Sequence, residues 1–257
     1  MYEPAAPPPT PAEPLRTTHW GFLDLLWFAL FAVVSLLLAF VLGSIVFETW
    51  KLVTQTEATL NDQPYKTLFA LAVQGLWWAM AVGFIYYIVV VKSGLDFLRS
   101  LGYVDFKTPS MNYVTGGFVL ALSVGVLARL LQLPDTKLPI EELIEGPLAS
   151  AAFALFAVFI APPIEELVFR GFLFVPIERS KGAVTATIVT AAVFALPHAE
   201  QVGGQWQSLV LLFYVGCVLG LVRARTQSVI PSTLLHVSYN ATLMAALLFA
   251  PEAAVDL

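Results

Sequence analysis

Glu165, Glu166 and Arg170 stand in PIEELVFRG, His198 in FALPH, and His236 and Asn240 in HVSYN. A carboxylate and an imidazole can together hold a water and take its proton. A second imidazole and a carboxamide can donate hydrogen bonds to a developing oxyanion. These side chains are sufficient for hydrolysis of an amide. Arg170 follows Glu166 by four residues, one helical turn on, so the two are expected to form an ion pair. Asn240 follows His236 at the same spacing. Glu165 points about 100° away from Glu166 and is left without that partner. Pro162 and Pro163 cannot continue a helix ladder but suit a first turn, so a bend and restart is expected, with Glu165 near the new helix N-terminus. Each feature has a structural reading beside the chemical one. A Glu-Arg pair can be a clamp, and a histidine among apolar residues can be a hydrogen-bonded core residue.

The string PIEEL occurs twice. Its first copy, Pro139–Leu143, lies with Asp135, Lys137 and Glu145 between prolines and reads as a solvated loop. The second copy differs in setting. No charge appears from Gly146 to Ile164, and GFLFVPI follows Arg170. A charge inside such an apolar stretch costs about 2.5–3.5 kcal/mol on insertion scales, so it needs a partner and usually a task.

A covalent nucleophile is not indicated. There is no GxSxG, Cys217 has no histidine nearby in sequence, and Ser238 is two residues from His236 and faces elsewhere. A divalent metal such as zinc is the competing arrangement. Glu165, His198 and His236 could bind it and leave a position open, although HExxH spacing and thiolate ligands are missing. Spacing alone leaves metal-assisted and metal-free hydrolysis both open.

What must position these groups is a set of membrane helices. Hydrophobic residues are 58% of the 257 and charged residues 12%, against roughly 25% charged in a soluble domain. The fold class is all-α: a polytopic transmembrane helix bundle. Apolar runs of near-spanning length predict about seven spans: 25–47, 68–91, 112–133, one starting at 148, 183–197, 208–222 and 229–250. Gly94–Lys107 mixes charge with Phe97, Leu98, Leu101 and Tyr103 and predicts an interfacial amphipathic helix. Residues 1–20, rich in proline, read as a disordered tail, 21–147 as N-terminal helices with the amphipathic linker, 148–250 as a catalytic core and 251–257 as a C-terminal tail. Lysine and arginine fall nine to four in favour of the tail and the even-numbered connections, which predicts a cytoplasmic N-terminus. No basic stripe with interleaved aromatics is present, so nucleic acid is not an expected partner.

EELVFRG resembles the EExxxR box of the CPBP family, the group of CAAX prenyl protease 2 and bacteriocin-processing (Abi) proteins. FALPH is similar to its FxxxH box and HVSYN to its HxxxN box. FYVGCVLGLVRARTQSVIPSTLLH resembles the GxxxG–Arg–Ser–Pro lead into the last box, and LRSLGY a segment common before the domain. The resemblance covers about Leu148–Phe249. It implies an intramembrane endopeptidase acting on a peptide or membrane-associated protein, surrounded by lipid. In eukaryotic members the substrate is a prenylated C-a-a-X protein that loses its last three residues. Carried over by motif position, Glu165 and His198 would activate water, His236 and Asn240 would bind the oxyanion, and Glu166 and Arg170 would organise the first pair. The family's frequent metalloprotease label leaves zinc open. The short length and proline-rich tail resemble bacterial members, which implies a bacterial cytoplasmic membrane. Pro197, directly before His198, departs from the pattern.

Two other classes compete. One is a non-catalytic scaffold or bacteriocin self-immunity protein of the same fold. The other is a proton-coupled transporter, which predicts inverted repeats, and none is found beyond the short PIEEL string. The peptidase reading also requires Glu165, His198 and His236 to converge within about 10 Å, the reach of a shared water. Convergence is predicted although the depths along the helices disagree. His236 is about 10 Å into its span and His198 about 24 Å into its own, at 1.5 Å per residue.

Overall fold

A computed structural model describes residues 20–134 and 136–249. The proline-rich tail up to His19, Asp135, and residues 250–257 with the expected C-terminal tail lie outside the described residues. Trp20, expected to belong to the disordered tail, is instead buried, and its indole N–H donates to the Phe172 carbonyl at 2.9 Å.

Every regular element among the described residues is helical. The α-helices are α1 Phe22–Thr54, α2 Tyr65–Tyr86, α3 Phe97–Ser100, α4 Ser110–Leu130, α5 Pro147–Leu155, α6 Ala161–Glu166, α7 Phe174–Ala195, α8 Trp206–Thr226 and α9 Val229–Phe249. Wider π-helical turns join several of them, at Tyr87–Lys92, Phe156–Ile160 and Leu167–Leu173. Six helical runs are long and apolar enough to cross a membrane, one of them the 52-residue run Pro147–His198. The protein is an integral membrane protein.

That long run is doubled back on itself. Gly182 has φ 82° and ψ 164°, outside the helical region and open to glycine without strain. The rings of Phe169 and Phe194 meet at 5.3 Å between centroids. A straight helix would hold residues 25 apart at about 37 Å. The chain therefore folds into two antiparallel arms at Gly182, and six runs of spanning length stand among the described residues where the sequence predicts about seven spans.

Close helix approach follows from small residues. A Cβ on Gly216 would lie 2.9 Å from the Ala191 Cα, and one on Gly220 would lie 3.0 Å from a Thr187 methyl, so α8 lies tightly against the second arm. Gly117 brings α4 against the α9 backbone at Leu235 in the same way. Large apolar side chains such as Leu26, Leu37 and Val46 of α1 face outward, as lipid contact requires.

The amphipathic helix expected over Gly94–Lys107 is reduced to the single turn α3. Gly94 and Gly102 take positive φ on either side of that turn and stop the helix. The segment's apolar residues divide: Leu101 joins the core with Phe97 and Tyr103 packed against it, while Leu98 stays exposed. Leu101 is fully buried beside Gly171, the Gly102 carbonyl accepts from the Val229 N–H at 2.8 Å, and the Ser228 hydroxyl donates to the Val104 carbonyl. Arg223 crosses Gly102 and donates through Nε to the Arg170 carbonyl at 3.1 Å.

Candidate active site

The helix carrying Glu165 and Glu166 does not break at the two prolines. It widens before them into the π-helical turn Phe156–Ile160, in which the Ala161 N–H reaches back five residues to the Phe156 carbonyl. In that register the Ala157 carbonyl would be served by residue 162, and Pro162 has no N–H. Asn240 supplies the missing donor: its Nδ2 donates to the Ala157 carbonyl at 2.8 Å. The expectation of a restart that puts Glu165 at a helix N-terminus is thus corrected. Glu165 sits in the last turn of α6, inside a continuous helical path. A second wide turn, Leu167–Leu173, follows at once and carries Arg170. Such turns are uncommon and are frequent at functional sites.

Glu166 and Arg170 are completely buried and pair at 3.1 Å, one turn apart as their spacing requires. The guanidinium is fixed from other sides as well. It donates from Nη2 to the Gly216 carbonyl at 2.9 Å and lies over the Phe194 ring at 4.9 Å. Gly216 thus serves twice, by letting α8 approach and by offering its carbonyl.

His236 stands between the two glutamates. Its Nδ1 is 3.1 Å from Glu166 Oε1 and its Nε2 is 3.7 Å from Glu165 Oε2. Glu166 is therefore the partner of His236 as well as of Arg170, which its spacing to Arg170 did not reveal. Glu165, expected to lack a partner, faces an imidazole. His198 ends the second arm in the short 3₁₀ turn Leu196–His198, to which Pro197 contributes. Its Nδ1 lies 2.8 Å from the Phe194 carbonyl. A carbonyl only accepts, so Nδ1 carries the proton and Nε2 of the neutral ring is left with a lone pair. Phe194 separates the two imidazoles, with ring centroids 4.9 Å from His198 and 5.8 Å from His236.

Glu165, His198, His236 and Asn240 line one cavity of about 400 Å³. The hairpin explains how the first two reach it, since Glu165 and His198 lie nearly equidistant in sequence from the turn at Gly182. The conflict of depths is resolved by the same turn. Val229, where α9 begins, is bonded to Gly102 beside Gly171. The hairpin turn is 11 residues further along, about 16 Å of helix, and projects past the start of α9.

The first PIEEL copy closes one side of this cavity. It forms the 3₁₀ turn Pro139–Ile144, and its Ile140 and Leu143 join the lining while the charges face out. Glu142 pairs with Lys66 and Glu145 with Lys137. Lys66 holds the Glu142 carboxyl below its ordinary value, mainly by the hydrogen bond between them. The Ile140 N–H donates to the Gln201 carbonyl at 3.2 Å, which ties this loop to the one after His198.

The donor set does not fit a metal. Among the described residues no three His, Cys, Asp or Glu side chains gather into a group able to hold one.

Residues 147–242 match the family described as type II CAAX prenyl endopeptidase Rce1-like. This stretch, which contains Glu165, His198, His236 and Asn240, is similar to the CAAX-protease family that the three boxes resemble. Comparison with curated proteins and with solved structures gives no match.

Proposed function

We propose that the protein is an intramembrane endopeptidase of the CAAX-protease type that hydrolyses a peptide bond with a water activated by Glu165 and His198, without a metal. The observation that carries this reading is the convergence of Glu165, His198, His236 and Asn240 on one cavity inside a membrane bundle. Glu165 takes a proton from the water as its oxygen attacks the peptide carbonyl, and the His198 Nε2 lone pair holds the water's second hydrogen. A carboxylate oxygen faces each nitrogen of His236, and carboxylates only accept. In this reading His236 is doubly protonated, with Nδ1–H on Glu166 and Nε2–H turned to the oxyanion. The four charges of Glu165, Glu166, Arg170 and His236 then cancel, which limits the cost of burying them. Asn240 has one N–H on Ala157 and a second left for the oxyanion. The proton held by Glu165 passes to the leaving nitrogen, the C–N bond breaks, and the carboxylate is restored.

The substrate is a peptide or membrane-bound protein, with a prenylated C-terminus the first candidate. The residence is the cytoplasmic membrane of a bacterium with the N-terminus inside, as the distribution of lysine and arginine suggests. The test is purified protein in detergent against prenylated and plain peptides, with and without chelator. Cleavage is expected with chelator present, and Glu165→Gln is expected to lower kcat by about 10²–10⁴-fold. A folded Glu165→Gln protein with full activity would favour the scaffold or immunity reading, and loss of cleavage on chelation the metal reading.

A further inference from the structure

The proposed chemistry uses polar side chains from α6, the second arm and α9. Another wall of the same cavity comes from α2, which carries none of the three boxes. Ala70, Leu71, Gln74 and Trp78 of α2 all line it. Their spacing places them on one helix face, so Gln74 is turned toward the cavity with them. It is the polar member of that face, and its carboxamide has no hydrogen-bond partner among the described residues. Gln74 is nine residues into the span that starts at Tyr65, about 14 Å along it, near mid-membrane. Gln74 is half-buried, so its carboxamide is open to whatever fills the cavity. Its neighbour one turn on, Trp78, stacks on Phe156 at 5.1 Å, and Phe156 opens the wide turn that leads to Glu165. Gln74 therefore stands one turn from a stacked aromatic pair and lines the same cavity as the proposed chemistry.

We propose that Gln74 is a substrate-binding residue that holds one backbone amide of an extended peptide, its Nε2 donating to a carbonyl and its Oε1 accepting an N–H. A carboxamide matches a peptide group in both roles. The flanking Leu71, Trp78 and Phe153 suit apolar substrate side chains on either side of the held amide. This inference rests on the peptidase reading for the class of ligand, and its test does not depend on turnover.

The probe is a fluorescein-labelled farnesylated peptide, titrated against Glu165→Gln protein in nanodiscs and against the same protein carrying Gln74→Met. Methionine keeps the length and shape and removes both hydrogen bonds. The Kd is expected to rise about 5–30-fold, the value of two ordinary hydrogen bonds. Peptides with an ester in place of one backbone amide locate the contact. The ester at the held position weakens binding to the Glu165→Gln protein and leaves binding to the Gln74→Met form unchanged. Thermal unfolding of Gln74→Met is expected at or above the parent temperature, because an unpaired amide is removed. Equal Kd values, absence of peptide binding, an ester penalty that persists in Gln74→Met, or a lowered unfolding temperature each overturn the proposal. Failure of the peptidase reading shows separately, as protein with Glu165 intact that binds the peptide and does not cleave it.

Discussion

Replacing Arg170 by methionine removes one charge from a pair that has no solvent to fall back on. Glu166 and Arg170 are both fully buried, 3.1 Å apart, and Arg170 also holds the Gly216 carbonyl and covers the Phe194 ring. Methionine keeps most of the volume, so the loss is electrostatic. Breaking a buried pair from one side costs about 3–5 kcal/mol, because the remaining charge is stranded. At roughly 2–4 °C per kcal/mol for a chain of this size, the unfolding temperature should fall by about 6–20 °C. Glu166→Gln in the same chain removes the stranded charge, and the double variant should regain more than half of the loss. Tryptophan fluorescence during a thermal scan in nanodiscs measures both. Two outcomes would refute the reasoning. One is an Arg170→Met protein within about 1 kcal/mol of the parent, the scale of an exposed pair. The other is a double variant no more stable than the single one, which would mean that the pair's charge is not what matters.

Three further outcomes follow from the same geometry. Asn240→Leu leaves the Ala157 carbonyl unpaired and should cost about 1–3 kcal/mol; adding Pro162→Ala restores a backbone N–H in the π register and should return part of that stability, measured by thermal unfolding, but no activity. Gly216→Leu forces α8 away from Ala191, whose Cα would lie 2.9 Å from the new Cβ, and should lower stability by about 1–3 kcal/mol in the same assay. The Glu142 carboxyl is held below its ordinary value, so its pairing with Lys66 is present above about pH 4.3, the usual glutamate value, and fades as pH falls through the lower folded value. Limited proteolysis of the Pro139–Ile144 turn should therefore speed up in acid for the natural protein and be fast at all pH values in Lys66→Ala; a Lys66→Ala turn as protected as the natural one would contradict this.

Much of this architecture is legible in the residues, because lipid allows few solutions for a backbone. Apolar runs mark the spans, and the four-residue spacing of Glu166 and Arg170 predicts their pair. Even the break between the two arms shows in the chain, as the charged stretch Glu178–Lys181 before Gly182. What escapes is register. A π-helical turn has no composition of its own, so the widening at Phe156–Ile160 could not be foreseen, and two prolines argued for a break instead. The bond from Asn240 to Ala157 depends on that widening and was hidden with it. The place of His236 between two carboxylates depends on how α9 crosses α6, a tertiary fact with no local signal. The segment Gly94–Lys107 is ambiguous in sequence, because alternation of apolar and charged residues looks the same whether the apolar face meets lipid or a protein core. Its two positive-φ glycines were the available clue.

The doubling of the chain at Gly182 has a consequence for biogenesis. Both arms can enter the bilayer as one hairpin, carrying Glu165 and His198 in together before α9 has been made. Until that later helix docks, Glu166 has Arg170 but no imidazole, and the Ala157 carbonyl has no donor at all. A nascent protein in this condition lacks two of the polar contacts of the finished bundle. Arrival of His236 and Asn240 supplies both partners and completes the polar wall of the cavity in the same event, so that a chain stalled before α9 is unfinished as a fold and, on the proposed reading, without peptidase activity.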